Sequence, residues 1–194
     1  DGELDVAFES ANTTLDTCTN TELIETALQA TRDYDNYWTG VTTDPTTFDQ
    51  AEASSIMAQE LIDFGEPLIS DWIAGGLSFQ GSFLDGQLPG SGITELLSRT
   101  YVDEDLDIFE IIACRVLPQS FGLYQGDVLV DDFREGSSNG PDATAQYVLI
   151  RRDSTWKVLA VFDRVWVDCN SFSDGWLAGI NRVIPDPAPW ETLQ

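Results

Sequence analysis

Histidine is absent from the 194 residues of this chain. Without imidazole, Ser-His-Asp triads, histidine zinc centres and histidine pH switches are all excluded. Lysine is nearly as scarce. Lys157 stands beside eight arginines and faces 22 Asp and 12 Glu. Nine cations less 34 anions give a formal charge of −25. That balance argues against nucleic acid, whose phosphates demand clustered Lys and Arg, and against anionic membrane surfaces. No apolar run approaches the ~18 residues that a membrane-spanning helix needs. Cysteine is limited to Cys18, Cys114 and Cys169, an odd count that permits one bridge and one free thiol. Cys18 and Cys169 are the expected pair, because both fall just outside regular elements. Cys114 is expected as a buried free thiol within a strand.

Cofactor and metal motifs are missing as well. "LPGSG" (Leu88–Gly92) lacks the Lys and Ser/Thr of a phosphate loop and the serine of a nucleophile elbow. Read as a calcium loop from Asp103, "DEDLD" puts Ile108 where Gly belongs and Cys114 where the closing Glu belongs. We therefore expect no cofactor and no metal. What the chain does have is an ordinary apolar share, 42%, with 11% aromatics, enough for a packed domain despite the charge. A coat rich in Asp and poor in Lys suits a secreted, periplasmic or organelle-lumen protein, or the cytoplasm of a halophile. A start at Asp1 fits a removed leader, and "NTT" at Asn12 is a glycosylation sequon in a secretory setting.

The length predicts a single domain over residues 1–194, with an N-terminal extension to about 48 and an irregular tail over about 169–194. "TNTE" (Thr19–Glu22) has capping-box spacing, and Leu23, Ile24, Ala27, Leu28, Tyr34, Tyr37 and Trp38 follow a helical stripe to Gly40. "TTDPTTFD" reads as a loop. A second helix is predicted over about 50–64, interrupted by Gly65 and Pro67, with a new segment over Pro67–Ala74. Leu77–Leu84 reads as a short hairpin or bulged pair followed by a loop, and Ile93–Tyr101 as a short helix. From Asp107 the period changes from 3.6 to 2. Strands are expected over Asp107–Leu117, Phe121–Phe133, Thr144–Asp153 and Thr155–Asp168, joined as an antiparallel meander. Helices followed by strands imply an α+β fold, with the helices packed on one face of a curved antiparallel sheet.

Three stretches, in this order, carry a resemblance. "GSGITELLSRTY" looks like the glycine-led helix that precedes the sheet in the NTF2-like (SnoaL-like, cystatin-like cone) superfamily. "QGDVLVDDF" is similar to a strand of that family, and "YVLIRRDSTWKVLAVFD" to its last hairpin. The match spans roughly residues 50–168. It implies a cone with an internal cavity, and either a ligand-binding module or a small isomerase or hydrolase. The long N-terminal region, the lack of His and the tail depart from the family pattern.

On the last predicted strand both faces are mostly apolar, as in a strand covered on both sides or one at an oligomer interface. Arg151, Arg152 and Lys157 do not share a face, so local pairing with carboxylates is their expected role. Glu110, Arg115 and Asp163 interrupt apolar faces. Each is therefore expected to be paired, functional or on a wet face. Asp163 with Tyr147, or with Arg115, has the composition of a general-base pair in the cone. Trp72, Phe79, Phe83, Tyr147 and Trp166 are the candidate walls of an apolar ligand site, with Arg115 or Asp163 at its polar end and Arg164 as a further ligand-binding candidate. The function expected from these features is a non-catalytic module for a hydrophobic small molecule or a protein partner. A homodimer through the outer sheet face is a further expectation, and the alternative is an enzyme using Asp, Tyr and Arg.

Overall fold

Phe121–Phe133, expected as one strand, folds back on itself at Gly126, whose φ of 58° suits a residue without a Cβ. The computed structural model describes residues 21–82, 93–103, 108–116, 120–132 and 142–167. The chain runs α1 (Thr21–Thr43), a short 3-10 turn (Pro45–Thr47), α2 (Gln50–Ile56) and α3 (Gln59–Gly75). The strands are β1 (Leu77–Ser82), β2 (Ile93–Asp103), β3 (Ile108–Val116), β4 (Ser120–Gln125), β5 (Val128–Asp132), β6 (Asp142–Arg152) and β7 (Thr155–Val167). The fold is α+β. All strand pairs are antiparallel.

The described strands form two sheets, ordered β2-β3-β6-β7 and β1-β4-β5. The expected meander is therefore interrupted: β3 pairs directly with β6, and the β4–β5 hairpin leaves to join β1. Ile93–Tyr101 is not a helix. It lies within β2, paired with β3 through three register shifts. Such bulges break strict alternation, which is why Ile93, Leu96 and Leu97 carry helix-like spacing in an extended chain. Leu77–Ser82 is likewise a single strand and pairs with β4 rather than with itself.

The helices also differ from the expected breaks. Gly65 and Pro67 both lie inside α3, and the break comes earlier, at Met57 and Ala58. Pro67 is exposed there. Gly65 serves packing: a Cβ on it would sit 3.1 Å from the Trp38 ring of α1. The "TTDPTTFD" loop holds two caps. Asp44 accepts from Thr46 N at 3.1 Å, and Asp49 accepts from Glu52 N at 2.8 Å to open α2.

A main core lies between helices and sheet, where Ala27, Tyr34, Ala53, Met57 and Ile62 meet Phe109, Ile111, Tyr147, Leu149, Trp156 and Val158. A second cluster uses the opposite sheet face, with Ile108, Val148, Ile150 and Leu159. All four are buried. Among the described strands β7 is an edge, not central. Its edge is covered at one point, where Met57 bridges Val158 and Ala58 N donates to Val158 O at 2.9 Å. No helix among the described residues is long and apolar enough to cross a membrane. The thiol pairing lies outside the described residues, apart from Cys114, whose backbone belongs to β3.

Candidate functional site

Four cations sit on the β6–β7 hairpin, and three of them, Arg151, Arg152 and Lys157, have separate tasks. Asp153 and Ser154 both take positive φ (52° and 66°), as a two-residue hairpin turn with right-handed twist requires. That turn presents Arg151 over the Trp156 ring, 5.7 Å from its centroid. Arg152 reaches Glu60 of α3 at 2.8 Å. Lys157 donates to the carbonyl of Ser54 at 2.6 Å, at the end of α2 where carbonyls lack helical partners. Arg152 and Lys157 therefore staple the hairpin to the helices while Arg151 packs on the hairpin's own Trp156, and the three do not form a patch for an anionic ligand. The Arg152–Glu60 pair is more than a third exposed on both sides, which limits it to under about 1 kcal/mol.

An open cleft of about 470 Å³ lies beside this hairpin, lined among others by Glu22, Gln29, Asp33, Ser55, Arg151 and Trp156. Its walls are mixed polar and apolar. Trp72, Phe79 and Tyr147 do not line it. Trp72 and Phe79 pack edge to face on each other, with ring centroids 4.9 Å apart, where α3 turns into β1.

Tyr147 lies deeper, on the helix-facing side of β6. Its hydroxyl donates to Asp35 Oδ2 of α1 at 2.7 Å across 112 residues of sequence. Both are sealed, with Tyr147 0% exposed and Asp35 1%. Tyr34 meets the Tyr147 ring edge-on at 6.3 Å and stacks on Trp38 at 6.2 Å. Asp35 had a signal in the sequence: it stands one residue past Tyr34 and four past Thr31, inside the stripe that buries Ala27, Thr31, Tyr34 and Val41. The remaining candidates are placed by backbone register. Asp163 lies opposite Ala145, two pairs beyond Tyr147↔Val161. Arg115 lies opposite Ala143, four residues along β3 from the Ile111 that pairs with Tyr147, or about 13 Å of strand. Arg164 and Trp166 are on β7, with Trp166 opposite Ala143. Phe83 lies outside the described residues.

On the other sheet face Glu110 and Gln146 are buried among Ile108, Val148 and Ile150. Glu110 is thus not on a wet face. Tyr37, read in the sequence only as part of the apolar stripe, has a hydroxyl that donates to Asp49 O at 2.9 Å and accepts from Asp49 N at 3.1 Å, tying α1 to the start of α2. Burial first, and then the charges of Glu52 and Asp49, raise the Tyr37 pKa above its usual 10.0; the hydrogen bonding at Asp49 opposes them.

No family model matches this chain. No curated protein matches it either. Among solved structures, the intermembrane space region of the chloroplast protein ARC6 aligns over 76% of this chain and 98% of that one. The identity is 12% and the TM-score 0.47, too low for the likeness to carry an argument. Among the described residues there is no group of three or more Cys, Asp or Glu arranged to hold a metal.

Proposed function

We propose that this chain is a non-catalytic binding module that assembles with a protein partner; its acidic, lysine-poor composition supports an extracytoplasmic or high-salt setting. The observation that carries the reading is apolar exposure on a chain of charge −25. Phe64 is 77% exposed on α3, with exposed Leu68 one turn on along the same face, while Val128, Leu129 and Val130 form a second exposed group on β5. Isolated exposed apolar residues are ordinary, but grouped ones mark contact surfaces. The polar pair best suited to proton transfer, Tyr147 with Asp35, is closed to solvent, which disfavours the isomerase or hydrolase alternative. Trp72 and Phe79 pack on one another, and Tyr147 belongs to the core.

Titration with a fluorescent apolar probe tests this reading. Surface-exposed apolar groups should give weak binding that falls when Phe64→Glu or Val128→Lys is introduced. Saturable one-to-one binding that ignores both substitutions would instead establish an enclosed small-molecule site and overturn the proposal.

A further inference from the structure

β5 carries an inference that rests on the partner-binding reading and narrows it to one surface and one partner chemistry. Among the described strands β5 is an edge, paired on one side only, with β4. Val128, Leu129 and Val130 follow one another along it and are 67%, 48% and 55% exposed. An edge strand presents unpaired backbone N–H and C=O groups, and natural proteins usually blunt such edges with charge, proline or bulges. β5 keeps its apolar centre exposed while acidic residues bracket it: Asp127 before, Asp131 and Asp132 after.

The hairpin is also held in position. Gly126 N donates to Gly76 O at 3.1 Å and Gln125 Nε2 donates to Gly75 O at 2.8 Å, so the turn is tied to the end of α3. Gln80 Nε2 reaches Gly126 O at 3.3 Å from β1. The edge is therefore pre-positioned, which lowers the ordering cost of adding a strand to it.

Charge decides between occupants. A second copy added antiparallel about Leu129 would set Asp127 of each chain opposite Asp131 of the other. Centring the pair between Leu129 and Val130 would set Asp127 opposite Asp132. Like charges directly opposite destabilise a strand pair, and Val130, the extra residue in the register shift between β4 and β5, distorts the edge against itself. An extended segment alternating apolar residues with Lys or Arg meets no such repulsion, and the bulge at Val130 is common to any added strand. Its apolar side chains cover Val128 on one face of the strand, and its cations meet Asp127 beside Leu129 on the other. We propose that β5 binds such a cationic extended segment of a partner protein by strand addition.

The test uses the full chain and a short synthetic peptide alternating Lys and Val, with a Glu-Val peptide as control. Binding is followed by fluorescence anisotropy at about 50 mM and about 500 mM salt, and by amide hydrogen exchange. The Lys-Val peptide should bind, the control should not, and protection should rise at residues 128–132. The double substitution Val128→Lys/Val130→Lys should weaken binding by roughly tenfold, from lost cross-strand contacts and added repulsion, with no change in the unfolding midpoint. Lys-Val binding that salt abolishes and the double substitution leaves untouched would mean general attraction to the acidic coat. It would overturn the β5 assignment and leave the partner-binding reading standing. A doubled mass in light scattering, lost in the double variant, would make the occupant a second copy and overturn the choice of partner. Protection at α3 instead of β5 would move the interface to Phe64 and Leu68 and equally sink this proposal.

Discussion

Replacing Tyr147 by Phe removes one oxygen and leaves the ring in place against Tyr34. The lost hydroxyl donates to Asp35 Oδ2 at 2.7 Å, and neither residue is open to water. A hydrogen bond between neutral groups contributes ~0.5–1.5 kcal/mol net, and one to a charged group ~1.5–3 kcal/mol. Tyr147→Phe should therefore destabilise the fold by about 1–3 kcal/mol, and the position within that range reports the charge Asp35 carries. For a domain of this size about 2–4 °C of melting temperature corresponds to each kcal/mol, so a fall of roughly 2–12 °C follows. Urea unfolding monitored by tryptophan fluorescence and circular dichroism gives the free energy directly, with the m value expected unchanged. Asp35→Asn keeps an acceptor and should cost less than Asp35→Ala. The Tyr147→Phe/Asp35→Asn pair should then show coupling of ~0.5–3 kcal/mol. A Tyr147→Phe loss under ~0.5 kcal/mol, with no coupling to Asp35, would refute the sealed pair and reopen the helix–sheet interface as a wet, reactive site.

Ser154→Gly should stabilise the protein by about 1 kcal/mol, because Ser154 holds φ of 66° where glycine carries no Cβ strain; an unchanged urea midpoint would contradict the turn geometry. Thermal stability should climb steeply from low to molar salt as self-repulsion of the −25 charge is screened, whereas a flat melting temperature would mark the acidic coat as merely solubilising. Tyr37 has a folded pKa raised above 10.0, so the folded state holds its proton longer than the unfolded chain does. That contribution is intact below pH 10.0 and is lost as pH climbs through the raised folded value. Comparing wild type with Tyr37→Phe across that alkaline range should show a steeper decline for wild type, and parallel curves would remove Tyr37 from the account. Gly122→Ala should disrupt the β4–β5 hairpin, since its Cβ would fall 2.9 Å from the Asp131 carbonyl oxygen and 2.6 Å from Leu129 Cδ1; a variant of undiminished stability would show that the hairpin packs differently.

The β6–β7 hairpin was legible because two signals agree there: period-two alternation on both sides and a two-residue polar turn at Asp153–Ser154. Helix α1 was legible from its apolar stripe. Its carboxylate partner to Tyr147 was not, because the two residues stand 112 positions apart and nothing local couples them. Gly65 and Pro67 misled for one reason: both are punctuation in isolation, while the packing of Trp38 against Gly65 supports a continuous α3. In β2, pairing with β3 overrode a helical spacing that bulges had produced. Side-chain chemistry at Asp163, Arg164 and Arg115 was named from alternation alone, and alternation assigns faces, not partners.

The staples between helices and sheet have a temporal consequence. They join Ser54 to Lys157, Glu60 to Arg152 and Asp35 to Tyr147, across 103, 92 and 112 residues. Each helix therefore leaves the ribosome long before the strand that will cover it exists. At translation speeds of ~5–20 residues per second, Asp35 waits roughly 6–22 s for Tyr147. Throughout that interval the faces of α1 and α2 that end in the core are bare. A dense negative charge is then useful before folding as well as after it, since nascent chains that repel one another do not aggregate while their sheet is still being made.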